Sequence, residues 1–458
     1  MPGLKRYDVI VVGAGPAGIF ASHRLAENGW KVLLIDKGAS LSERKCLSRG
    51  GLPCVKCKTC SIMCGWGGAG AFSDGKLTLS PNVGGRLGEY VGQERLQRYI
   101  HQADEIYLAY GAPTKLYQPD PAFADEVRGR AVRAGLRYVP SPVRHMGSDR
   151  SVDVLKGLFE NLSPKIDISL KDEVLDFETA PDGHHRVKAV SGEYSCRFLV
   201  LAPGREGSAW FSELGRKKKL TSAINPVDIG VRVEVPFEAM RDLTDRLYEP
   251  KLHFTSETFE DAVRTFCVNP RGFVTTECVD GLVTVNGHSF RDKRSDTTNF
   301  ALLVSNRFTE PFHDSIAYGR HVARLANLLG GGVLLQRLGD LEAGRRSTPE
   351  RIARNVFAPT LPEATPGDLS LVLPHRHLSS IVEMLRALDR LSPGIYDRDT
   401  LIYGVEVKFY SNTIKLSSEL ESEVPNLFAI GDGAGVTRGV IQASASGLVV
   451  ADAILGRA

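Results

Sequence analysis

Residues 7–38 read YDVIVVGAGPAGIFASHRLAENGWKVLLIDKG, which has the pattern of a strand, a glycine turn, a helix and a second strand. The unbroken apolar run at residues 9–12 is typical of a parallel strand covered on both faces. Gly13, Gly15 and Gly18 then form G-x-G-x-x-G. The first permits a tight turn, the second lets the backbone approach a pyrophosphate, and the third lets helix and strand pack closely. This stretch predicts an α/β fold with a Rossmann-type dinucleotide-binding domain.

The helix after the glycine turn offers free N–H groups and a positive dipole end to the pyrophosphate. The second strand ends in Asp36, which is well placed to accept hydrogen bonds from a ribose. The cofactor contacts predicted in this stretch are Gly13, Gly15, Pro16, Ala17, Gly18, Asp36 and Lys37. The fingerprint alone does not distinguish FAD from NAD.

Length and composition limit the remaining possibilities. A chain of 458 residues is expected to form one large domain or two interleaved domains. Its formal charge of +3 is too small to argue for a nucleic-acid partner or an anionic membrane. No apolar run approaches the roughly 18 residues that a membrane span needs, and residues 9–15 are interpreted as a buried strand. We therefore expect a cytoplasmic protein without nucleic-acid partner or membrane span, whose thiols stay reduced.

Two distant segments favour FAD. Residues 424–454 contain a short apolar strand that ends in Gly431 and Asp432, followed by a helix that begins near Gly439. This resembles the second signature of FAD enzymes with the two-dinucleotide-binding fold, whose aspartate holds the ribityl chain. Residues 196–207, CRFLVLAPGREG, are similar to the return strand of that domain, with Ala202 and Gly204 at its end.

The resemblance extends over nearly the whole chain. The sequences GWGGAGAFSDGKL (65–77), VRHMGSD (143–149), GDLEAGRRST (339–348), YGVEVKFYS (403–411) and GDGAGVTRGVIQASASG (431–447) resemble a family of FAD-dependent, or NAD(FAD)-utilising, dehydrogenases. The chain is more distantly similar to geranylgeranyl reductases. The resemblance implies an FAD-dependent oxidoreductase, and it does not imply a particular substrate.

The predicted FAD domain is discontinuous and consists of residues 1–80, 150–210 and 395–458. A helical insertion is predicted at 81–149. A mixed β-sheet and helix domain at 211–394 is predicted to cap the flavin and bind substrate, because VDIGVRVEVP (227–236) alternates strictly and helical patterns follow it. The resemblance to related flavoproteins implies that the backbone of Val174 pairs with the adenine.

The chemistry is expected beside the flavin ring. Arg438, Gly439 and Val440 begin the last helix, whose N-terminus and cation would stabilise negative charge on the reduced flavin. A second glycine loop, with Gly68 and Gly70, is expected to approach the ring or the ribityl chain. Three more residues are candidates for contact with cofactor or substrate: Asp74, Lys76 and His145. Lys76, His145 and Arg438 are the candidate catalytic residues.

Eight cysteines occur in the chain, and five of them lie close together at Cys46, Cys54, Cys57, Cys60 and Cys64. The last four match the C-x2-C-x2-C-x3-C run of bacterial ferredoxins, although glycine stands where the ferredoxin run has proline. A [4Fe-4S] cluster, a tetrahedral zinc site and metal-free redox or packing thiols all remain open.

The leading hypothesis is an FAD-dependent oxidoreductase that acts on a small or lipid-like substrate, with reduction of an activated double bond as the second possibility. A different class is a flavin-containing redox carrier or sensor with a cysteine-bound iron–sulfur or zinc site. No second G-x-G-x-x-G follows a strand. Electrons are therefore expected from the substrate, from transiently bound NAD(P)H or from an electron-transfer partner protein.

Overall fold

A computed structural model describes residues 4–46, 57–73, 75–223, 225–247, 249–279, 281–290, 293–306, 308, 314–408 and 413–457. The strands are β1 (Lys5–Val12), β2 (Val32–Asp36), β3 (Lys76–Thr78), β4 (Arg137–Val139), β5 (Val143–His145), β6 (Asp167–Leu170), β7 (Val174–Thr179), β8 (His185–Ala189), β9 (Gly192–Leu201), β10 (Ser222–Ala223), β11 (Val227–Pro236), β12 (Lys251–Thr255), β13 (Ala262–Asn269), β14 (Phe273–Val279), β15 (Leu282–His288), β16 (Thr297–Asn306), β17 (Leu334–Arg337), β18 (Thr365–Pro366), β19 (Leu401–Lys408), β20 (Thr413–Ile414) and β21 (Leu427–Ala429). The α-helices are α1 (Pro16–Glu27), α2 (Leu87–Val91), α3 (Gln93–Ala109), α4 (Pro121–Arg133), α5 (Gly147–Leu162), α6 (Ser208–Lys217), α7 (Phe237–Leu247), α8 (Ser315–Gly330), α9 (Leu338–Glu342), α10 (Pro349–Ala353), α11 (His375–Leu391) and α12 (Val440–Leu455). Short 3₁₀ helices lie at Leu41–Glu43, Gly68–Phe72, Leu369–Leu371 and Asp432–Ala434.

The chain divides into two compact units. Unit 1 consists of Met1–Leu116, Val143–Asn225 and Ser411–Ala458, and unit 2 of Tyr117–Pro142 and Pro226–Tyr410. The boundaries expected from sequence were 80, 150, 210 and 395, with a separate helical insertion at 81–149. The structure divides that insertion between the units, because α3 packs its apolar side into the core of unit 1 whereas α4 packs into the core of unit 2.

Unit 1 is built on a parallel sheet. β6, β2, β1 and β9 lie side by side in that order, and β21 adds to β9 beyond them. β7 and β8 form an antiparallel meander that joins the sheet through the first half of β9. The predicted Rossmann-type topology is confirmed.

Helices α1 and α12 cross closely in unit 1. A Cβ atom on Gly447 would lie 2.2 Å from the carbonyl oxygen of Ala17, so only glycine permits this crossing. Apolar residues of both helices are fully buried with those of β1. The small residues of α12 therefore bring its N-terminus to the same region as the glycine turn before α1.

Unit 2 contains an eight-stranded sheet in the order β18-β17-β19-β11-β16-β13-β12-β4. The alternation predicted for β11 is confirmed, since Val227, Ile229, Val231, Val233 and Val235 pack into one apolar core with residues of α7, α8 and α11. The residues between them are buried as well, and several are charged. Both faces of β11 are therefore covered. Among the described residues, no helix is both long and apolar enough to cross a membrane.

Candidate functional site

The turn between β1 and α1 is shaped by close backbone approach. Gly13 has φ +112°, and a Cβ atom there would lie 2.0 Å from the carbonyl oxygen of Ala202. A Cβ atom on Gly18 would lie 1.9 Å from the carbonyl oxygen of Gly13. Gly15 is the N-cap of α1 and Pro16 is its first residue, so the first N–H groups of this helix have no intrahelical partner. The turn forms the cradle for a pyrophosphate that the sequence predicts.

Asp36 is the last residue of β2, and its carboxylate accepts hydrogen bonds from three backbone amides. Its Oδ2 atom accepts a 2.7 Å hydrogen bond from the amide of Ala14, and its Oδ1 atom accepts bonds from the amides of Gly38 (2.7 Å) and Gly65 (2.8 Å). The carboxylate is half-buried, and its two oxygens together have about four acceptor positions. One position therefore stays available for the predicted ribose contact. Lys37, which follows it, is half-buried.

The second glycine loop packs against the first. The amide of Gly67 donates a 2.8 Å hydrogen bond to the carbonyl oxygen of Ala14. Gly68 has φ +54°, and a Cβ atom there would lie 3.0 Å from the Cα atom of Gly15. A Cβ atom on Gly70 would lie 3.3 Å from both Pro16 and Val440. The two loops and the start of α12 thus meet at one place.

Arg44 holds the second loop, and sequence reasoning did not find it. The side chain is buried and donates hydrogen bonds of 2.6 to 2.8 Å to the carbonyl oxygens of Ser61, Ile62, Trp66 and Gly68. Burial lowers the pKa of the guanidinium to about 10, although nearby Asp36 opposes this shift. Nothing in the local pattern around Arg44 indicates its role, since its partners lie 17 to 24 residues further along the chain.

The other two strands of the FAD signature end at the same edge of the sheet. Ala202 follows β9, and its amide donates a 2.8 Å hydrogen bond to Val12 at the end of β1. Gly204 has φ +63°, and a Cβ atom on Gly433 would lie 1.9 Å from its carbonyl oxygen. The segment after β9 therefore contacts the segment after β21 directly.

Asp432 lies between β21 and α12. Its Oδ1 atom accepts a 2.8 Å hydrogen bond from the hydroxyl of Thr437, and its Oδ2 atom lies 3.3 Å from the donating amide of Gly439. Burial raises the pKa of this carboxyl group, while Arg205 and Arg438 act in the opposite direction. Gly431 precedes it with φ +79°. The aspartate predicted to hold the ribityl chain therefore also orients the start of α12.

Arg438 stands immediately before the N-cap of α12, Gly439, which has φ +87°. The side chain of Arg438 is half-buried, and its amide donates a hydrogen bond to the carbonyl oxygen of Gly84. A Cβ atom on Gly85 would lie 2.7 Å from the Arg438 amide nitrogen. On the other side, Asn225 donates a 3.2 Å hydrogen bond to the carbonyl oxygen of Gly435. One further segment thus contacts the backbone of Arg438 and another that of Gly435, and the sequence did not predict either.

Lys76 and His145, two of the candidate catalytic residues, lie directly opposite each other on the antiparallel pair β3 and β5. Side chains at directly opposite positions share one face of such a pair. Both are half-buried. Arg144, the neighbour of His145 on β5, forms a buried two-point ion pair with Asp104 at distances of 2.6 and 2.7 Å, which fixes β5 to α3.

The segment before β7 contacts the end of β2. The amide of Asp172 donates a 3.0 Å hydrogen bond to the carbonyl oxygen of Asp36, and that of Lys171 donates a 2.8 Å bond to Gly38. Val174 is buried two residues later at the start of β7. Its predicted pairing with adenine stays a prediction.

The cysteine segment is described only in part. Cys54, like Asp74, lies outside the described residues. Cys57 is exposed, whereas Cys46 and Cys60 are half-buried and Cys64 is buried. The amide of Cys64 donates a 2.9 Å hydrogen bond to Cys60, so the two cysteines are one helical turn apart. Burial raises the pKa of the Cys64 thiol to about 12. Within the described ranges, no group of three or more His, Cys, Asp or Glu side chains could hold a metal ion, and the predicted iron–sulfur or zinc site receives no support.

Comparisons with known proteins agree with this geometry. A family model described as FAD binding domain matches residues 8–59, and one described as FAD-dependent protein, C-terminal domain-like, matches residues 226–409. An uncharacterized protein of Clostridium beijerinckii is 30% identical over 482 residues, which cover 97% of this chain and 80% of that protein. A digeranylgeranylglycerophospholipid reductase of Methanocaldococcus jannaschii is 57% identical over 37 residues, 8% of this chain and 10% of that protein.

Among solved structures, glycine oxidase from Geobacillus kaustophilus matches with a TM-score of 0.40 and 14% identity, covering 99% of this chain and 95% of that chain. The fold and the glycine cradle define a flavoprotein of the FAD-binding class. The chain belongs to the family of FAD-dependent proteins that these two models describe. The resemblance expected from the sequence is confirmed.

Proposed function

We propose that this protein is an FAD-dependent dehydrogenase or reductase that acts on a small or lipid-like substrate. One observation carries the proposal. The carboxyl ends of β1, β2, β9 and β21 bring the glycine turn, Asp36, Ala202 and Asp432 to one edge of a parallel sheet. Ligands of open α/β sheets bind outside this edge.

The residues present fit FAD. Gly13 and Gly68 have positive φ and pack against neighbouring backbone that a Cβ atom would meet, and the free N–H groups of α1 suit a pyrophosphate. Asp36 would bind the ribose, Val174 the adenine and Asp432 the ribityl chain. Bound FAD would supply hydride or electron transfer, while the protein orients it and excludes water.

Arg438 and the N-terminus of α12 would stabilise the negative charge that reduction leaves on the flavin. Asp432 supports this role because it binds Thr437 and Gly439, the residues on either side of Arg438. The segment is also held by Gly84 and Asn225. Because the backbone segment around Arg438 is held in place, little energy is needed to reorient this positively charged group during the reaction.

Lys76 and His145 would move the proton that accompanies hydride transfer. Their opposite positions on β3 and β5 let one side chain influence the charge of the other. The ion pair of Arg144 with Asp104 would keep this strand pair in place. A lysine or histidine near neutral pKa is suited to general acid–base catalysis.

Unit 2 would supply the substrate-binding cap. The lipid-like class takes limited support from the M. jannaschii relative, whose name states a reductase of a geranylgeranyl lipid. Reduction of an activated double bond is accordingly the second possibility. Electrons would come from the substrate, from transiently bound NAD(P)H or from an electron-transfer partner protein.

A second candidate function, which is not that of an enzyme with its own substrate, is a flavin-containing redox carrier or sensor. The observation that favours it is the connection between the cysteine segment and the glycine turn. The amide of Gly65, next to Cys64, bonds Asp36, and that of Gly67 bonds Ala14. A thiol pair, an iron–sulfur cluster or zinc in this segment would therefore lie beside the dinucleotide loop.

The test begins with the cofactor. The full chain is purified, its cofactor is released by denaturation and identified by mass, and FAD at one equivalent is expected. The flavin is then reduced without oxygen by NADH, NADPH or candidate substrates. Saturable reduction or reoxidation by one structured compound supports the enzyme, whereas equal rates with every acceptor support the carrier. A chain that neither contains FAD nor binds added FAD contradicts both.

A further inference from the structure

Cys267 lies in an unusual backbone conformation in unit 2. Its φ is +47°, which is rare for a residue other than glycine. The pairing of β13 with β16 shifts register between Phe266 and Asn269, as at a β-bulge. Bulges re-aim side chains, and strained residues persist where the surrounding structure holds them. Cys267 is partly exposed.

Arg232 lies against Cys267. Its guanidinium is fully buried, forms two 2.8 Å hydrogen bonds with Glu406 and donates a 3.0 Å bond to the carbonyl oxygen of Cys267. It is also within hydrogen-bonding reach of the Cys267 side chain. The guanidinium therefore offers N–H donors beside the sulfur, which an oxygen atom added to Sγ could accept.

Asn269 is a second donor to the sulfur. Its Nδ2 atom lies 3.5 Å from Sγ of Cys267 and 3.0 Å from the carbonyl oxygen of the same residue. Its Oδ1 atom accepts a 3.1 Å hydrogen bond from the hydroxyl of Ser289. The amide is thereby held with its donor end towards Cys267.

Asn299 indicates that the cluster is built for an additional oxygen atom. Its Oδ1 atom accepts hydrogen bonds from Arg232 (3.1 Å) and Asn269 (3.3 Å), which fixes the orientation of the amide, since a flipped amide would set donor against donor. Its Nδ2 atom is buried and has no hydrogen-bond partner among the described residues. Buried donors without partners are rare and call for an acceptor.

We propose that Cys267 is a site of reversible oxidation by hydrogen peroxide, with the resulting sulfenic acid bound by Arg232, Asn269 and Asn299. The sulfur attacks one peroxide oxygen, so that an S–O bond forms and the O–O bond breaks. The departing hydroxide takes the thiol proton and leaves as water. Sulfur loses two electrons and peroxide gains them. The new oxygen supplies the acceptor that the Asn299 amide lacks.

The test uses the full-length protein with its cofactor. Low concentrations of hydrogen peroxide are added with a 1,3-diketone probe for sulfenic acids, and labelling of each cysteine peptide is followed by mass spectrometry. Cys57 and Cys278, which are exposed, serve as references in the same sample. Cys267 is expected to be labelled roughly tenfold faster than either, because Arg232, Asn269 and Asn299 offer hydrogen-bond donors to the oxygen that oxidation adds. Labelling of Cys267 no faster than that of the references overturns the proposal.

A pair of variants tests the role of the neighbours. Asn269→Asp keeps the side-chain volume but replaces the donor near Sγ by a carboxylate oxygen, and should slow labelling of Cys267 about fivefold or more. Asn28→Asp makes the same replacement at an exposed position of unit 1 and should leave the rate within about twofold. Equal rates in both variants and in the parent chain would remove Asn269 from the site. Dithiothreitol added after the peroxide and before the probe should reduce the sulfenic acid and abolish labelling of Cys267, and labelling that persists contradicts reversibility.

Discussion

The amide nitrogen of Gly65 donates a 2.8 Å hydrogen bond to Oδ1 of Asp36. This bond joins the end of the cysteine segment to the acid that terminates the second strand of the dinucleotide fold. Gly65 has φ +103°, and a Cβ atom on it would lie 2.3 Å from the carbonyl oxygen of Ala39. The glycine after Cys64 is therefore required by packing against the FAD loop, which explains why it departs from the proline of ferredoxin runs.

The contact between the two glycine loops should control FAD affinity. Gly68→Ala introduces a Cβ atom 3.0 Å from the Cα atom of Gly15, at a residue with φ +54°. We expect the Kd for FAD to rise about tenfold or more, which corresponds to roughly 1.4 kcal/mol, because the loop must move away. Titration of the apoprotein with FAD measures it.

Gly29→Ala is the matched control, since Gly29 has φ +76° but nothing within 4 Å of the added Cβ atom. Both variants should lose about 1–2 kcal/mol of unfolding free energy in urea from the left-handed backbone. Only Gly68→Ala should bind FAD more weakly. Equal FAD affinity in both variants would show that the contact between Gly68 and Gly15 does not control FAD binding.

Asp432→Ala should weaken FAD retention. Each lost hydrogen bond from a charged carboxylate to a ribityl hydroxyl costs about 1.5–3 kcal/mol. Flavin occupancy after dialysis and the Kd for FAD report this loss. Thr437→Val removes one protein contact of the same carboxylate and should retain FAD far better. Full occupancy in the alanine variant means that Asp432 does not bind the cofactor.

Arg438→Gln should lower the midpoint potential of the flavin while FAD stays bound. Loss of a cation worth about 0.3–1 kcal/mol to the reduced form corresponds to roughly 10–20 mV for a two-electron couple. Equilibrium titration against a reference dye measures the potential. Arg216→Gln, at the exposed end of α6, should leave it unchanged. A potential equal to that of the parent chain would make Arg438 a structural residue.

His377 should make stability depend on pH. Burial lowers the pKa of this histidine to about 4, and neither ring nitrogen has a hydrogen-bond partner among the described residues. The unfolded chain, with an ordinary pKa near 6.5, therefore takes up the proton first as pH falls. Stability from this group is complete above about pH 6.5 and is lost towards pH 4, with about 2 kcal/mol gone by about pH 5.

His377→Leu should remove this part of the pH dependence, as measured by urea unfolding at about pH 7.5 and about pH 5. His375→Leu is the control, because His375 is exposed on the same helix, α11. The dependence of the unfolding free energy on pH should become weaker for His377→Leu alone. Parallel slopes for all three proteins would show that His377 titrates normally in the folded state.

The sequence leaves a [4Fe-4S] cluster, a zinc site and metal-free thiols open for the cysteine segment, and metal analysis distinguishes them. Protein purified without oxygen is analysed for iron, zinc and acid-labile sulfide, and its visible spectrum is recorded. Iron with sulfide identifies a cluster, and stoichiometric zinc identifies a structural site. Cys60→Ser should remove either metal, whereas Cys196→Ser, in the core strand β9, should not. Absence of both metals with titratable thiols rejects the metal prediction.

Much of the FAD site could be predicted because its signals are local. Gly13, Gly15 and Gly18 lie within one turn and one helix, and their role follows from the steric limits of a short backbone segment. The same holds for Asp432, which follows its strand directly. The alternation of β11 also predicted its apolar face correctly, since side-chain direction in a strand has a period of two.

Contacts between distant segments could not be predicted in this way. Arg44 has no distinctive neighbours in sequence, and the four carbonyl oxygens it binds became identifiable only in the folded loop. Lys76 and His145 were separate candidates, and strand pairing across 69 positions made them neighbours. The burial of the charged residues of β11 could not be predicted from the sequence either, because an alternating pattern suggests that the polar face of the strand is exposed to water.

The amino-acid sequence by itself determined the Rossmann-type turn, the FAD signature and the family, because each depends on backbone geometry within a few residues. The tertiary structure alone decided which segments meet this turn. Gly65 reaches Asp36 and Gly68 reaches Gly15 only when the loops fold over the sheet. In unit 2, Arg232 pairs with Glu406 across 174 positions through β11 and β19. Pairing of this kind depends on chain topology, which short sequence patterns do not encode.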